Sequence, residues 1–160
     1  MANIYMHRFI KACAGRHGAV LVNYADDFVL LCREGTGEEA MATMRRLMSK
    51  LGLTVNEKKT RLVKLPEERF DFLGYTVGWF YGYRGRPYWG TAPSMKSIKR
   101  LRERIHDETT NRWNATTPES RVDELNPILR GWANYFSQGP VGQIYPRLDD
   151  YTARRLRIWL

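Results

Sequence analysis

Two adjacent carboxylates, Asp26 and Asp27, are the residues of this chain best suited to do chemistry. They lie in the segment 20–31 between two short apolar runs that contain no Pro or Gly, and each run predicts a buried β-strand. Asp is depleted in strands because burial of an unpaired charge costs free energy. We therefore expect both carboxylates at the tip of a hairpin, where a divalent cation with oxygen ligands would offset that cost. Neighbouring side chains of an extended chain point in opposite directions, so Asp26 is expected to face the cation more directly.

An ordinary turn is the alternative interpretation of this dipeptide. Asp side chains hydrogen-bond to their own backbone in turns, so Asp-Asp between two strands also occurs where no metal binds. Short motifs have many chance matches, and the dipeptide alone favours the ordinary turn. The choice between the two interpretations therefore depends on the rest of the chain.

The composition indicates a globular protein with a polyanionic partner. The chain has 160 residues, the size of one ordinary domain or two small ones, and 43% of them are apolar. Its net charge of +9 favours a nucleic acid as partner. Five Trp and nine Tyr could stack on bases, although any single aromatic residue is more typical of a core.

Several classes of protein are excluded by what the sequence lacks. Cys13 and Cys32 form neither a metal-binding pattern nor a disulfide framework, which favours a reducing, cytoplasmic setting. The apolar runs are too short to span a membrane, and the first residues do not resemble a signal peptide. We therefore expect no membrane or secreted role.

The hydrophobic pattern predicts an α+β fold, in which an antiparallel sheet with helices precedes a three-helix bundle. Helices are predicted over residues 2–13, 37–51, 95–112, 118–137 and about 145–160. Strands are predicted in the hairpin 20–31, at 53–56, 60–65 and 70–77, and in an aromatic hairpin over 79–89 that turns near 84–87.

Helix boundaries are indicated by capping residues. Thr36 and Ser94 are predicted N-caps, and Pro118 is predicted to open a helix. The helix from residue 95 places its apolar residues on one face, and basic residues crowd the rest: Lys96, Lys99, Arg100, Arg102 and Arg104. These cations either contact nucleic acid or form a solvated face.

Four local patterns follow one another in a fixed order. Tyr24-Ala-Asp-Asp comes first, then Gly52-Leu-Thr-Val-Asn-Glu-Lys-Lys-Thr after a helix, then Phe72-Leu-Gly-Tyr, and finally a basic helical segment. This order resembles the C-terminal half of the reverse transcriptase/maturase proteins encoded by bacterial group II introns. The opening Ala2-Asn-Ile-Tyr-Met-His is also similar to the helix after the fourth conserved block of that family. The resemblance covers nearly the whole chain.

The resemblance implies a domain organisation and an activity. Residues 1–78 would be the later part of a polymerase palm, 79–93 a connecting hairpin, and 94–160 the thumb or maturase-specific domain. The implied activity is RNA-directed DNA synthesis with two Mg²⁺ ions, in the bacterial cytoplasm, on partners that are intron RNA and an RNA/DNA template–primer. Nucleotidyl transfer needs such a metal pair to stabilise the attacking and leaving oxygens.

The resemblance also implies roles for individual residues. Asp26 and Asp27 would bind metal, with Tyr24 supporting the hairpin, and Lys59 rather than Lys58 would assist the departing pyrophosphate. The alternative for both lysines is a solvated turn. A primer grip would hold the growing strand with Phe72, Leu73, Gly74 and Tyr75. The thumb would contact nucleic acid through Lys96, Lys99, Arg100 and Arg104. For the C-terminal cations, nucleic-acid binding and closure of the bundle both stay open: Arg154, Arg155 and Arg157.

One part of the family's metal site is not found in this sequence. The polymerase needs another metal-binding Asp on an earlier palm strand, as well as fingers, and residues 1–25 contain no Asp or Glu. We therefore expect no polymerisation by this chain alone, and either an N-terminal half as partner or self-association through an exposed sheet edge. The alternatives are a non-catalytic RNA-binding splicing cofactor and the remnant of a decayed intron gene.

Overall fold

The computed structural model describes residues 7–11, 19–82, 84–110 and 117–160. It has a mixed α+β fold, which confirms the predicted class, and it divides into two compact units, Met1–Lys64 and Leu65–Leu160. The domain boundaries predicted at residues 78 and 93 stay predictions. No helix in the described ranges is long and apolar enough to cross a membrane.

The first unit contains a short helical segment, a β-hairpin and one long helix. Residues 7–11 form helix α1, strands β1 (Val20–Tyr24) and β2 (Asp27–Leu31) pair antiparallel, and α2 covers Gly37–Lys50. The remainder of the helix predicted over 2–13 lies outside the described residues. The hairpin predicted from the two apolar runs is confirmed, but its strands are not buried as predicted, since four of the five residues of β1 are exposed.

The core of the first unit lies between α1, the hairpin and α2. Phe9, Met44 and Met48 are buried, and the ring of Phe9 lies 5.2 Å from that of Phe28. Met44 and Met48 are four residues apart and therefore share one face of α2. This packing confirms the predicted amphipathic helix and fixes the hairpin from one side.

Two predicted strands and one predicted cap of the first unit are wrong. Residues 53–56 and 60–65 are not strands: Leu53 and Val55 pack on the core, and the chain then turns because Asn56 O accepts hydrogen bonds from the N–H groups of both Lys59 and Thr60. Thr36 precedes α2, but its hydroxyl donates to Arg33 O instead of capping the helix.

The second unit contains a three-stranded antiparallel sheet and three helices. The strands β3 (Phe70–Phe72), β4 (Tyr75–Tyr81) and β5 (Pro87–Pro93) are neighbours in that order. The helices are α3 (Met95–Glu108), α4 (Pro118–Tyr135) and α5 (Ile144–Trp159).

Caps and apolar faces explain where these helices lie. Ser94 Oγ accepts a hydrogen bond from Ser97 N–H, which confirms the predicted cap of α3, and Pro118 occupies the first turn of α4 as predicted. Leu101 and Ile105 of α3 pack with Leu148 of α5 in the core. Helix α3 ends at Glu108, earlier than predicted.

Candidate functional site

The predicted catalytic residues lie at the tip of the β1–β2 hairpin. Tyr24 pairs with Asp27 across the two strands, so Ala25 and Asp26 are the central residues of a two-residue turn. Tyr24 is 65% exposed, and both carboxylates are exposed as well. The hairpin thus brings three of the predicted site residues together on an accessible surface.

Neither carboxylate of this turn has a protein partner in the described part of the chain. No hydrogen bond or ion pair of Asp26 or Asp27 is found there, and no group of three or more His, Cys, Asp and Glu side chains comes together. The two carboxylates are therefore available to a ligand and supply only part of a metal's coordination.

Ala25 has an unusual backbone conformation, with φ at 53°. A positive φ at the first central residue is typical of a type II′ hairpin turn, where Gly is preferred because the left-handed region costs an L-residue about 1–2 kcal/mol. Such outliers are concentrated at functional sites. The conformation is therefore a reason to treat the Tyr24–Asp27 turn as more than a connection.

Lys58 and Lys59 lie in the exposed turn that follows α2. Arg45 donates two hydrogen bonds to the Glu57 carboxylate, at 3.0 and 2.8 Å, and thereby ties this turn to the helix. The hydrogen bond from Arg45 holds the pKa of Glu57 below its usual value. The ion pair thus orients the segment that carries the predicted leaving-group lysine.

The predicted primer-grip residues form the β3–β4 hairpin of the second unit. Phe72 pairs with Tyr75, and the turn between them has φ of 50° at Leu73 and 79° at Gly74. Two positive φ values define the type I′ turn, which matches the twist of its strands. The single strand predicted over 70–77 is therefore wrong: it is two strands joined by a regular two-residue turn.

This second turn is held by residues of α3 and α4. Gly74 O accepts hydrogen bonds from Ser94 N–H at 2.8 Å and from Ser97 Oγ at 2.9 Å. Tyr135 donates its hydroxyl to Leu73 O at 2.9 Å, and Tyr75 donates its own to Tyr135 O. We call this reciprocal pair, Tyr75 and Tyr135, the tyrosine latch.

The contribution of Ser97 and Tyr135 was not foreseen from the sequence. Each contacts the turn across 23 to 62 residues of chain, so no local pattern could indicate it. The only signal was Gly74 itself, because a Gly after a strand indicates either a turn or a close approach of another element. In the structure Gly74 lies in a turn, and α3 also approaches it closely.

The predicted nucleic-acid-binding residues lie exposed on α3. Lys99 pairs with Glu103 at 3.7 Å and Arg104 with Glu108 at 2.8 Å, both four residues along the helix. Two predicted cations are left without an ion pair in the described ranges: Lys96 and Arg100. These two are the stronger candidates for phosphate contacts.

The C-terminal arginines differ in what they contact. Arg155 donates to the hydroxyl and carbonyl of Thr109 and to the carbonyl of His106, which satisfies the C-terminal end of α3. Arg154 forms an ion pair with Asp150. Arg155 therefore closes the bundle, one of the two roles left open from the sequence.

Comparison with protein families identifies both parts of the chain. Residues 1–77 match the model of the reverse transcriptase (RNA-dependent DNA polymerase) family, and residues 98–160 match the group II intron, maturase-specific domain. The chain belongs to the group II intron reverse transcriptase/maturase family. A search of the curated proteins found no match.

The predicted site residues of this reverse transcriptase/maturase fall in different matched segments. The Tyr24–Asp27 turn, Lys59 and the β3–β4 turn lie in the reverse transcriptase match. Lys99, Arg100 and Arg104 lie in the maturase match, whereas Lys96 lies before it. Residues 78–97, which include most of the β4–β5 hairpin, belong to neither match.

Proposed function

We propose that this chain is the palm-and-thumb portion of an RNA-directed DNA polymerase and intron maturase, in which Asp26 and Asp27 bind Mg²⁺. The observation that carries the proposal is the Tyr24–Asp27 turn, where two exposed carboxylates without a partner among the described residues follow Ala25 with its positive φ. Its position inside the reverse transcriptase match supports the assignment.

The donor set at this turn fits Mg²⁺ as a partial site. Carboxylate oxygens are the ligands that Mg²⁺ takes in proteins, and it usually keeps several waters and substrate phosphates as further ligands. When bound, the metal would stabilise the charge on the reacting phosphate oxygens. Tyr24 would flank the reacting groups, and Lys59 would add positive charge where the leaving group departs.

Primer extension on an RNA template with Mg²⁺ tests the proposal. We expect no extension by the chain alone, because two carboxylates do not complete a two-metal site, and extension when a polypeptide with the family's earlier palm strand and fingers is added. Asp26→Asn should abolish that extension, whereas Asp123→Asn, an exposed Asp on α4, should not. Full activity of Asp26→Asn would overturn the proposed role of this carboxylate.

Metal binding can be measured separately with Mn²⁺ as a spectroscopic probe. A site with two exposed carboxylates should bind weakly, with a Kd of about 1 mM. We expect Asp26→Asn to abolish this binding and Asp123→Asn to leave it unchanged. Equal Mn²⁺ binding by both variants would place the metal elsewhere.

A second candidate function, RNA binding without catalysis, is favoured by the exposed cations of α3. It predicts salt-sensitive binding of structured intron RNA that Asp26→Asn leaves intact. Replacing Lys96 and Arg100 by Ala should reduce the slope of log K against log salt by about 0.7–0.9 per lost phosphate contact. Replacing Lys99, which is paired with Glu103, should have a smaller effect. Unchanged salt slopes in all three variants would mean that these residues of α3 only face solvent.

The apolar outer face of the β1–β2 hairpin also favours binding to a protein partner. This face exposes Val20, Val22 and Leu31, at 58%, 45% and 41%, and no third strand pairs with β1 or β2 among the described residues. We propose that either a second copy or another polypeptide covers this hairpin. A clean monomer in size-exclusion chromatography with light scattering would exclude the second copy.

A further inference from the structure

The β4–β5 hairpin presents large aromatic rings to solvent at its outer end. Trp79 lies opposite Trp89, with ring centroids 6.4 Å apart and planes at 81°, and Tyr81 follows two residues along the same face. Tyr81 is 71% exposed and Trp89 47%. We call these three side chains the Trp face.

The opposite face of this hairpin is partly covered. Phe80 pairs with Tyr88 there, and the Arg69 guanidinium lies 4.4 Å from the centre of the Phe80 ring. Gly78 leaves room for the Arg69 side chain, since a Cβ at Gly78 would lie 2.6 Å from Arg69 Cγ. The Trp face is therefore the more exposed of the two sides, since Tyr88 on the other face is 36% exposed and Phe80 is half-buried.

The chain segment that carries the Trp face has charges of one sign. Residues 72–102 contain no Asp or Glu and six basic residues. Two of these cations, Arg84 and Arg86, are exposed in the loop that joins β4 to β5, and the Gly82 N–H donates to Arg86 O to hold that loop. A polyanion would thus find cations beside flat aromatic rings.

We propose that the Trp face binds unpaired RNA, whose bases stack on Trp89 and Tyr81 while Arg84 and Arg86 contact phosphates. Every base has a flat π surface, so stacking on exposed rings combined with cations that follow the backbone is the usual way to hold a single strand. This inference rests on the proposed function only in naming RNA as the single-stranded ligand. The surface itself lies outside both family matches.

Fluorescence anisotropy with an unstructured oligouridylate of about ten nucleotides tests this inference on the full chain. Tyr81→Ala and Trp89→Ala should each weaken binding about tenfold, whereas Trp89→Phe should retain most of the affinity. The control is Val122→Ala, an apolar residue of α4 that is 40% exposed. Tyr81 is the safer variant because its ring is mostly solvated, while Trp89 contacts Trp79.

Two further comparisons separate stacking from charge. Arg84→Ala and Arg86→Ala should each reduce the salt slope by about 0.7, which Arg130→Ala on α4 should not do. An RNA duplex, whose bases are not free to stack, should bind the wild type and Tyr81→Ala equally.

The inference is overturned if Tyr81→Ala and Trp89→Ala both bind the oligonucleotide like the wild type. It is also overturned if these variants change only the oligomeric state, because the Trp face would then be a protein interface. Failure of primer extension in the presence of the added polypeptide, together with normal, Tyr81-dependent oligonucleotide binding, would count against the proposed polymerase and leave this inference standing.

Discussion

The turns that carry the predicted catalytic and primer-grip residues have similar backbones but different surroundings. Both join antiparallel strands with two residues, and each places a non-glycine residue at positive φ, Ala25 at 53° and Leu73 at 50°. The Ala25 turn exposes its side chains to solvent, whereas the Leu73–Gly74 turn accepts hydrogen bonds from α3 and α4.

The difference indicates two ways in which a strained turn is maintained. The tertiary hydrogen bonds of the Leu73–Gly74 turn offset its backbone cost and fix the hairpin on the helices. In the described part of the chain no hydrogen bond from another element reaches the Ala25 turn, so its two carboxylates gain freedom to meet a ligand at the expense of local stability. The Ala25 turn is thus suited to bind a ligand, whereas the Leu73–Gly74 turn is suited to hold its hairpin in place on the helices.

The largest expected effect comes from a side chain added inside the supported turn. A Cβ at Gly74 would lie 3.0 Å from Ser97 Oγ and 3.1 Å from the Phe136 ring, on a backbone with φ of 79°. Gly74→Ala should therefore lower the free energy of unfolding by about 2–3 kcal/mol. All five Trp belong to the second unit, so Trp fluorescence during urea unfolding reports this change.

Gly85→Ala is the matched control for that measurement. Gly85 also has a positive φ, 69°, and belongs to the same unit, but nothing lies within 4 Å of its added Cβ. We expect a loss of about 1 kcal/mol from backbone strain alone. Equal losses in the two variants would show that α3 and α4 do not constrain Gly74.

A smaller effect is expected from opening the tyrosine latch. Tyr135→Phe and Tyr75→Phe each remove one hydrogen bond and should each cost about 1 kcal/mol. Because both bonds join the same two segments, the double variant should lose less than the sum of the single losses. A double-mutant cycle by urea unfolding measures this coupling, and strict additivity would mean that the two bonds act independently.

A substitution that relieves the positive φ of the Ala25 turn should instead raise the free energy of unfolding. Ala25→Gly relieves the positive φ but adds conformational entropy to the unfolded chain, and we expect a net gain of about 0.5–1 kcal/mol. Ala25→Val should destabilise the hairpin. Amide hydrogen exchange in β1 and β2 measures both changes. A loss of stability in Ala25→Gly would mean that the alanine side chain itself supports the turn.

Local patterns in the sequence predicted the elements that depend on neighbouring residues. The two short apolar runs around Asp26 predicted the first hairpin, and Ser94 and Pro118 predicted the starts of α3 and α4, because caps and turns are decided within a few residues. Membership of the reverse transcriptase/maturase family was likewise accessible from the order of short motifs.

Features that depend on distant residues were not predictable in this way. The segments 53–56 and 60–65 have the composition of strands, but no partner strand pairs with them among the described residues, and Asn56 turns the chain instead. The tyrosine latch joins residues about 60 positions apart. The composition also could not show that Lys99 forms an ion pair whereas Lys96 forms none among the described residues.

The smallest expected effect concerns the ion pair that ties the Lys58–Lys59 turn to α2. Since Arg45 lowers the pKa of Glu57 in the folded state, the pair stabilises the folded chain above the usual pKa of Glu, about 4.3. That stabilisation is lost as the pH falls through the lowered pKa. Glu57→Gln should therefore weaken protection of the Lys59 and Thr60 amides at neutral pH and have no effect in strong acid. Hydrogen exchange at several pH values measures this, with the exposed Glu34→Gln as control. A pH-independent difference would mean that Glu57 acts through packing instead of charge, and the Lys59 turn would then need no ion pair to hold its position.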